Sequence, residues 1–262
     1  ANIWNIGAEG QFIMGAIFSG ALGLAVYPQE SLLLFPLMVA FGIIGGVFWA
    51  FIPALLRTYF NTNEILVSLM LVYVAEQVLA AASIGFLRNP EGAGFPGSRN
   101  LSQYPSAANL DIFSGSGIHW GVATAFVSVI FFYILLYKHK FGFQVSLSGM
   151  SPKAARLSGV NPRFLVILCL ALSGGLAGLA GMFELTGPAG QITIDFNVGY
   201  GFTAIIVAFL GRLNPIGILF SGILMALTYV GGELTQFMLN LPAAAIQVFQ
   251  GMLLFFLLSM DL

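Results

Sequence analysis

Residues 164–186 read FLVILCLALSGGLAGLAGMFELT, a run whose one ionisable carboxylate is Glu184, close to its far end. At 1.5 Å per residue the run covers about 34 Å as a helix, against a bilayer hydrocarbon core of about 30 Å. Water is a poor solvent for such a segment, and a bilayer is a good one. The rest of the chain follows suit, with 58% hydrophobic and 7% charged residues. A soluble domain carries about 25% charged residues, so this chain could not clothe itself in water.

Apolar length picks out eight segments, at roughly 11–27, 31–56, 64–83, 119–137, 164–186, 202–211, 216–231 and 243–259. The fold class is therefore an all-α polytopic membrane protein. The sixth segment is too short to span alone. With Gly211-Arg212-Leu213-Asn214-Pro215 behind it, it reads as a half-helix or as one arm of a helical hairpin. Backbone breaks at membrane depth are tolerated where protein or a watery cavity satisfies the freed groups, which points to a transport pathway. The chain opens on Ala1-Asn2-Ile3-Trp4 and stops at Ser259-Met260-Asp261-Leu262, as a segment of a longer chain lacking one or two leading helices would.

Positive charge orients the spans. Residues 138–163 hold Lys138, Lys140, Lys153, Arg156 and Arg163 with no acid among them, so this connection is expected in the cytoplasm. Alternation places Arg57 and Arg212 on the same side. The 84–118 connection, rich in Gly, Pro, Ser and Asn and carrying Arg88, Glu91, Arg99 and Asp111, falls outside.

Small residues recur at contact spacing: Gly15, Ser19 and Gly23; Gly42 and Gly46; Gly174 and Gly178, with Gly181 close by. Spacing of four puts each set on one helix face, where backbones can approach closely. In Asn61-Thr62-Asn63-Glu64, Asn61 reads as an N-cap with Glu64 three residues on.

Several chemistries are excluded. Cys169 is the one cysteine, so there is no disulfide framework and no thiol cluster. His119 and His139 fall at opposite membrane faces, which removes a nucleophile triad and a histidine metal site. Gly199-Tyr200-Gly201-Phe202-Thr203-Ala204 fits G-x-G-x-x-A formally, yet it follows no parallel strand and no acid lies about twenty positions on. No G-x-x-x-x-G-K-[ST] phosphate loop occurs, so any ATP, with its magnesium, belongs to another subunit and no cofactor is expected in this chain. Nothing marks a nucleic-acid partner; the lipid bilayer is the one partner that composition demands.

Glu76 and Glu184 lie inside apolar segments, Glu9 and Gln11 at the mouth of the first, and Glu64 at the start of the third. A charge at the bilayer centre costs about 2.5–3.5 kcal/mol on insertion scales, so each faces a partner or a cavity. The functional reading is the polar lining of a solute path. The structural one is interhelical hydrogen bonding, or exposure at a helix end for Glu9 and Glu64. No proton relay of Asp, Glu and His is visible, which favours a neutral or weakly charged solute.

Within 149–163, Pro152 suits a first helical turn, Ala154-Ala155 favour continuing it, and Gly159 suits a C′ position. A short solvent-side helix of two turns is expected, with Lys153 and Arg156 on one face. Ala154-Ala155-Arg156-Leu157-Ser158-Gly159 resembles the E-A-A-x-x-x-G coupling motif of ABC importer permeases, with Lys153 where that motif has Glu. Further blocks resemble the nucleoside and simple-sugar branch of the branched-chain amino acid, sugar and nucleoside permeases. These are Asn5-Ile6-Gly7-Ala8-Glu9-Gly10-Gln11, Asn63-Glu64-Ile65 with Ser68-Leu69-Met70, and Gly199-Tyr200-Gly201-Phe202-Thr203-Ala204-Ile205 with Leu210-Gly211-Arg212-Leu213-Asn214-Pro215. They run in order along nearly the whole chain.

The resemblance implies one permease domain over 1–262, a coupling loop at 144–163 and an extracytoplasmic loop at 84–118. It implies a many-helix fold with inverted internal repeats, like that of the cobalamin importer. Its partners would be cytoplasmic ATP-binding subunits, a second permease in a homo- or heterodimer, and an extracytoplasmic solute-binding protein. On this reading Asn5, Glu9, Gln11, Glu76, Glu184 and Thr203 are candidates for the solute path, and Lys153, Ala154, Ala155, Arg156 and Gly159 for ATPase coupling. Nucleosides are the leading solute and ribose-like sugars the next. A secondary transporter or channel is the competing class; an integral-membrane enzyme finds no constellation to support it.

Overall fold

The structure, a computed structural model, describes residues 2–109, 111–113, 115, 117–239 and 244–260. Its α-helices are α1 (Ala8–Val26), α2 (Leu34–Phe60), α3 (Glu64–Ile84), α4 (Trp120–Tyr137), α5 (Lys140–Met150), α6 (Pro152–Leu157), α7 (Pro162–Thr186), α8 (Tyr200–Leu210), α9 (Pro215–Leu239) and α10 (Ala244–Met260). Six of them, α1 to α4 with α7 and α9, are long and apolar enough to cross a membrane. All eight apolar segments read from the sequence are helices, although residue 243 of the last lies outside the described residues. The 11-residue α5 was not anticipated. The chain divides into two compact units, Ala1–Thr124 with Lys140–Gly201, and Ala125–His139 with Phe202–Leu262.

In the first unit α1, α2 and α7 meet through the small residues that the sequence singled out. A Cβ on Gly46 would lie 2.0 Å from the Gly174 carbonyl oxygen, and one on Gly178 would lie 2.2 Å from that of Gly42. A Cβ on Gly15 would come within 2.2 Å of the Gly178 Cα. Only hydrogen fits at such points, so the backbones pack directly against one another. The Ser19 hydroxyl donates to the Gly15 carbonyl at 2.8 Å and needs no interhelical partner. Around this seam Ile13, Met38, Leu79, Met182, Leu185 and Ile192 are fully buried.

The 84–118 connection is stitched to the segment following α7. Ser98 N donates to Ile192 O at 2.9 Å and Ile192 N to Ser98 Oγ at 2.9 Å. Leu101 N donates to Gly190 O and Asn109 N to Thr186 O. Arg99 forks onto both carboxylate oxygens of Glu91, at 3.1 and 3.3 Å, and lies over the Tyr27 ring.

At the opposite end Arg57 pairs with Glu64 at 3.2 Å. Here the capping assignment is corrected. Asn61 is the C-cap of α2, with φ +54°, and Asn63 is the N-cap of α3, its side chain accepting from Ile65 N. Asparagine tolerates the left-handed region better than most residues, so Asn-x-Asn serves a helix end and a helix start within three positions.

In the second unit α8 and α9 form an antiparallel hairpin. Ser221 Oγ donates to Val207 O at 2.8 Å, and the hydroxyls of Thr203 and Tyr229 lie 2.7 Å apart. The turn between them holds Arg212 and Leu213 at φ +49° and +54°. Asn214 caps α9 by accepting from Ile216 N, while its Nδ2 donates to the Tyr137 hydroxyl. Of the two expectations for the sixth segment, the hairpin arm describes this geometry.

Candidate solute path and coupling turn

Residues 2–7 are non-helical, and α1 begins at Ala8 well inside the first unit. Asn5 Nδ2 donates to Ser173 Oγ at 2.8 Å, and Ser173 lies eleven residues beyond the start of α7. At 1.5 Å per residue that is about 16 Å from the start of α7, about half the depth of the hydrocarbon core. Gly7 abuts Ser68 and Gly10 abuts the Leu71 carbonyl, both likewise within α3. A helix N-terminus with its irregular lead-in therefore sits at membrane depth, where such backbone needs protein or a cavity beside it.

Four of the six predicted path residues, Asn5, Glu9, Gln11 and Glu76, gather here in two groups. Asn5 and Gln11 form a reciprocal amide pair, Asn5 Nδ2 to Gln11 Oε1 at 2.8 Å and Gln11 Nε2 to Asn5 Oδ1 at 3.0 Å. Gly7 N also donates to Asn5 Oδ1, which sets the turn into α1. Glu9, fully buried in the first turn of α1, takes the second group. Its Oε1 accepts from Gly199 N at 3.1 Å and its Oε2 from Gly201 N. Gly199 has φ +84°, a conformation that glycine adopts at no steric cost, and it turns the chain into α8. Glu76 Oε1 accepts from Asn197 Nδ2 at 2.7 Å, and Asn197 Oδ1 accepts in turn from Gly199 N at 3.2 Å. Carboxylates from α1 and α3 thus converge on the five residues 197–201, where the chain enters α8.

Glu184 stands apart from both groups, half-buried in the last turn of α7. Thr203 lies in the second unit against Tyr229. The sequence reading missed Ser173, Asn197 and the two glycine N–H groups as partners. Asn197 two residues before Gly199 is an Asx-turn signal that could have found one of them.

A cleft of about 800 Å³ is lined by Asn109, Asp111, His119 and Thr186, among others. Nδ1 of His119 faces two donors, Asn109 Nδ2 at 3.0 Å and Gly121 N at 3.1 Å. Both need an acceptor there, which places the ring proton on Nε2. Burial pushes the imidazole pKa below its ordinary value, and the Asp111 carboxylate opposes this only in part.

The short helix α6 has both of its ends capped. Ser151 Oγ accepts from Ala154 N, Pro152 takes the first position, and Gly159 ends the helix at φ +76°. Val160 N donates to Ala155 O and Gly159 N to Arg156 O, the paired bonds of a Schellman motif. Ala155 is fully buried, whereas Lys153, Arg156 and Leu157 are exposed, Leu157 at 91%. Four residues later α7 begins, with Asn161 as its N-cap.

A family model for the permease component of branched-chain amino acid transport systems matches residues 1–258. The chain belongs to that family. The permease is 32% identical over 273 residues to the glucose ABC transporter permease protein TsgB13 of Haloferax volcanii, covering all of this chain and 70% of that protein. It is 28% identical over 236 residues to the nucleoside ABC transporter permease protein NupB of Lactococcus lactis, with 87% and 65% covered. The guanosine ABC transporter permease protein NupP of Bacillus subtilis is 24% identical over 259 residues, with 98% and 74% covered. The permease thus spans about two thirds to three quarters of the length of these relatives. No solved structure matches it. It is an all-α, multi-pass protein of the cell membrane and an ABC permease component of the sugar and nucleoside importer type.

Proposed function

We propose that the permease forms the translocation path for nucleosides in an ATP-driven importer. It would work with cytoplasmic ATP-binding subunits that hold the ATP and magnesium, a second permease chain, and an extracytoplasmic solute-binding protein. The observation that carries this reading is the capped α6 turn and its short link to α7. A partner pressing on the exposed Lys153, Arg156 and Leu157 has a stiff lever to act on, because Ser151, Pro152 and Gly159 fix both of its ends. Motion of that lever reaches α7 across four residues. Seam contacts without side chains then pass it to α1 and α2, since Gly46, Gly174 and Gly178 leave no compressible layer between the helices. Along α7 the same motion reaches Ser173, and through it Asn5 and Gln11 at mid-depth.

Amide, hydroxyl and carboxylate groups at that depth offer donors and acceptors to a hydroxylated, heterocyclic solute. The guanosine and nucleoside permeases among the relatives support nucleosides, and the Haloferax glucose permease supports a sugar as the second reading. The test is uptake of labelled guanosine, adenosine, ribose and glucose into proteoliposomes holding the full-length permease with its ATPase and binding protein. Nucleoside uptake above that of both sugars is expected. Uptake of a sugar alone would keep the transporter class and overturn the solute.

A further inference from the structure

The first turn of α8 carries the positive end of a helix dipole at membrane depth, with Gly199 N and Gly201 N aimed at one point. Such a nest receives anions, and in transporters broken helices commonly turn it toward the anionic group of the solute. Here it is filled from within the chain. The Glu9 carboxylate, 0% exposed, takes both N–H groups and also lies in the first turn of α1. It therefore serves two helix N-termini at once.

The wider charge distribution points the same way. All nine Lys and Arg and both His lie in connections, in the short α5 and α6, or in the terminal turns of α2 and α7. Glu9, Glu76 and Glu184 lie in the membrane-crossing helices α1, α3 and α7. An anionic solute passing mid-depth would lose its hydration, find the helix N-terminus taken, and meet carboxylates instead of cations. An uncharged solute would meet no repulsion from the carboxylates and would pay far less for lost hydration.

We infer that Glu9 is a specificity-determining residue, which closes the α8 nest with the protein's own carboxylate and so reserves the path for uncharged solutes. Nucleosides and free sugars pass, and their phosphate esters do not. A phosphate ester outside the cell must then be hydrolysed by a phosphomonoesterase before its nucleoside or sugar can enter. The inference rests on the reading of the chain as a solute path.

The experiment compares ATP-dependent uptake of labelled adenosine and adenosine 5′-monophosphate in proteoliposomes holding the full-length permease, its ATPase and one constant binding protein. Because that binding protein is the same throughout, a change in the ratio of the two rates reports the permease. The ratio should fall about tenfold in Glu9→Ala, which empties the nest and removes a repelling charge. Glu9→Asp, which keeps the carboxylate, should retain most of it. A ratio unchanged in Glu9→Ala overturns the inference while leaving the transport function intact. Absence of adenosine uptake by the unsubstituted protein overturns the proposed solute instead. A second measurement judges the nest even if Glu9→Ala does not transport. Sodium formate should raise the melting temperature of Glu9→Ala in nanodiscs toward that of the unsubstituted protein, while sodium chloride at equal ionic strength should not. Equal responses to the two salts would show that no anion site had been vacated.

Discussion

Glu76 and Asn197, 121 residues apart in sequence, are joined by a 2.7 Å hydrogen bond from the asparagine amide to the carboxylate. That bond ties α3 to the approach of α8, the same approach that Glu9 holds from α1. Hydrogen bonds to charged groups contribute about 1.5–3 kcal/mol. Glu76→Ala and Asn197→Ala should each lower stability by about that amount, measured as the melting temperature or denaturant midpoint of the purified full-length protein. Because the two groups share one bond, the double variant should lose less than the two single losses together. Additive losses would show that the bond contributes nothing.

The glycine seam makes a sharper steric claim. Gly46→Ala places a methyl carbon where the Gly174 carbonyl oxygen stands 2.0 Å away, so α2 and α7 must part. Overpacking of this kind costs about 1–3 kcal/mol. Gly231→Ala on α9, where a Cβ would meet nothing within 4 Å, should leave stability the same or slightly higher. Thermal unfolding of the two variants side by side separates packing from helix propensity.

At Gly159 the space around a Cβ is open, but φ is +76°. Gly159→Ala should therefore cost about 1–2 kcal/mol through backbone strain alone. Its effect should concentrate on coupling, because the Schellman bonds that end α6 depend on that conformation. The expected signature is ATP hydrolysis that continues while uptake falls. Hydrolysis and uptake falling in equal proportion would assign Gly159 to assembly.

His119 gives a pH dependence of known sign. Its folded pKa is lowered by burial, so the unfolded chain binds the proton more readily than the folded one. The stability it contributes is complete above the ordinary imidazole value of 6.5 and is lost as pH falls below it. His119→Gln should flatten the loss of melting temperature between pH 7 and pH 5. A parallel curve for the variant would show that other groups govern the acid limb.

Much of the fold was legible because the bilayer imposes a length, and apolar runs announce it. α6 was legible too, since Pro152 and Gly159 each act locally on their own backbone, although the cap by Ser151 was not read. α5 was not, because KFGFQVSLSGM has neither a long apolar run nor a strong start and stop signal. Asn61 was read as the N-cap that Asn63 in fact provides, because one residue type serves both helix ends. For the site, the sequence offered Asn5, Glu9, Gln11 and Glu76 as polar groups that needed partners, and could not name the partners. Gly199 and Gly201 meet Glu9 across 190 and 192 residues, a pairing set by tertiary packing and by no local rule.

The most direct test of the account measures guanosine uptake, with and without ATP, in proteoliposomes of the full-length permease, its ATPase and its binding protein. The comparison is with Ala155→Trp, which cannot seat its side chain on the buried face of α6, where Ala155 is fully buried. The account predicts uptake that requires ATP in the unsubstituted protein and is lost in the variant while ATP hydrolysis persists. Guanosine flux indifferent to ATP would contradict it and mark the chain as a channel or a secondary carrier.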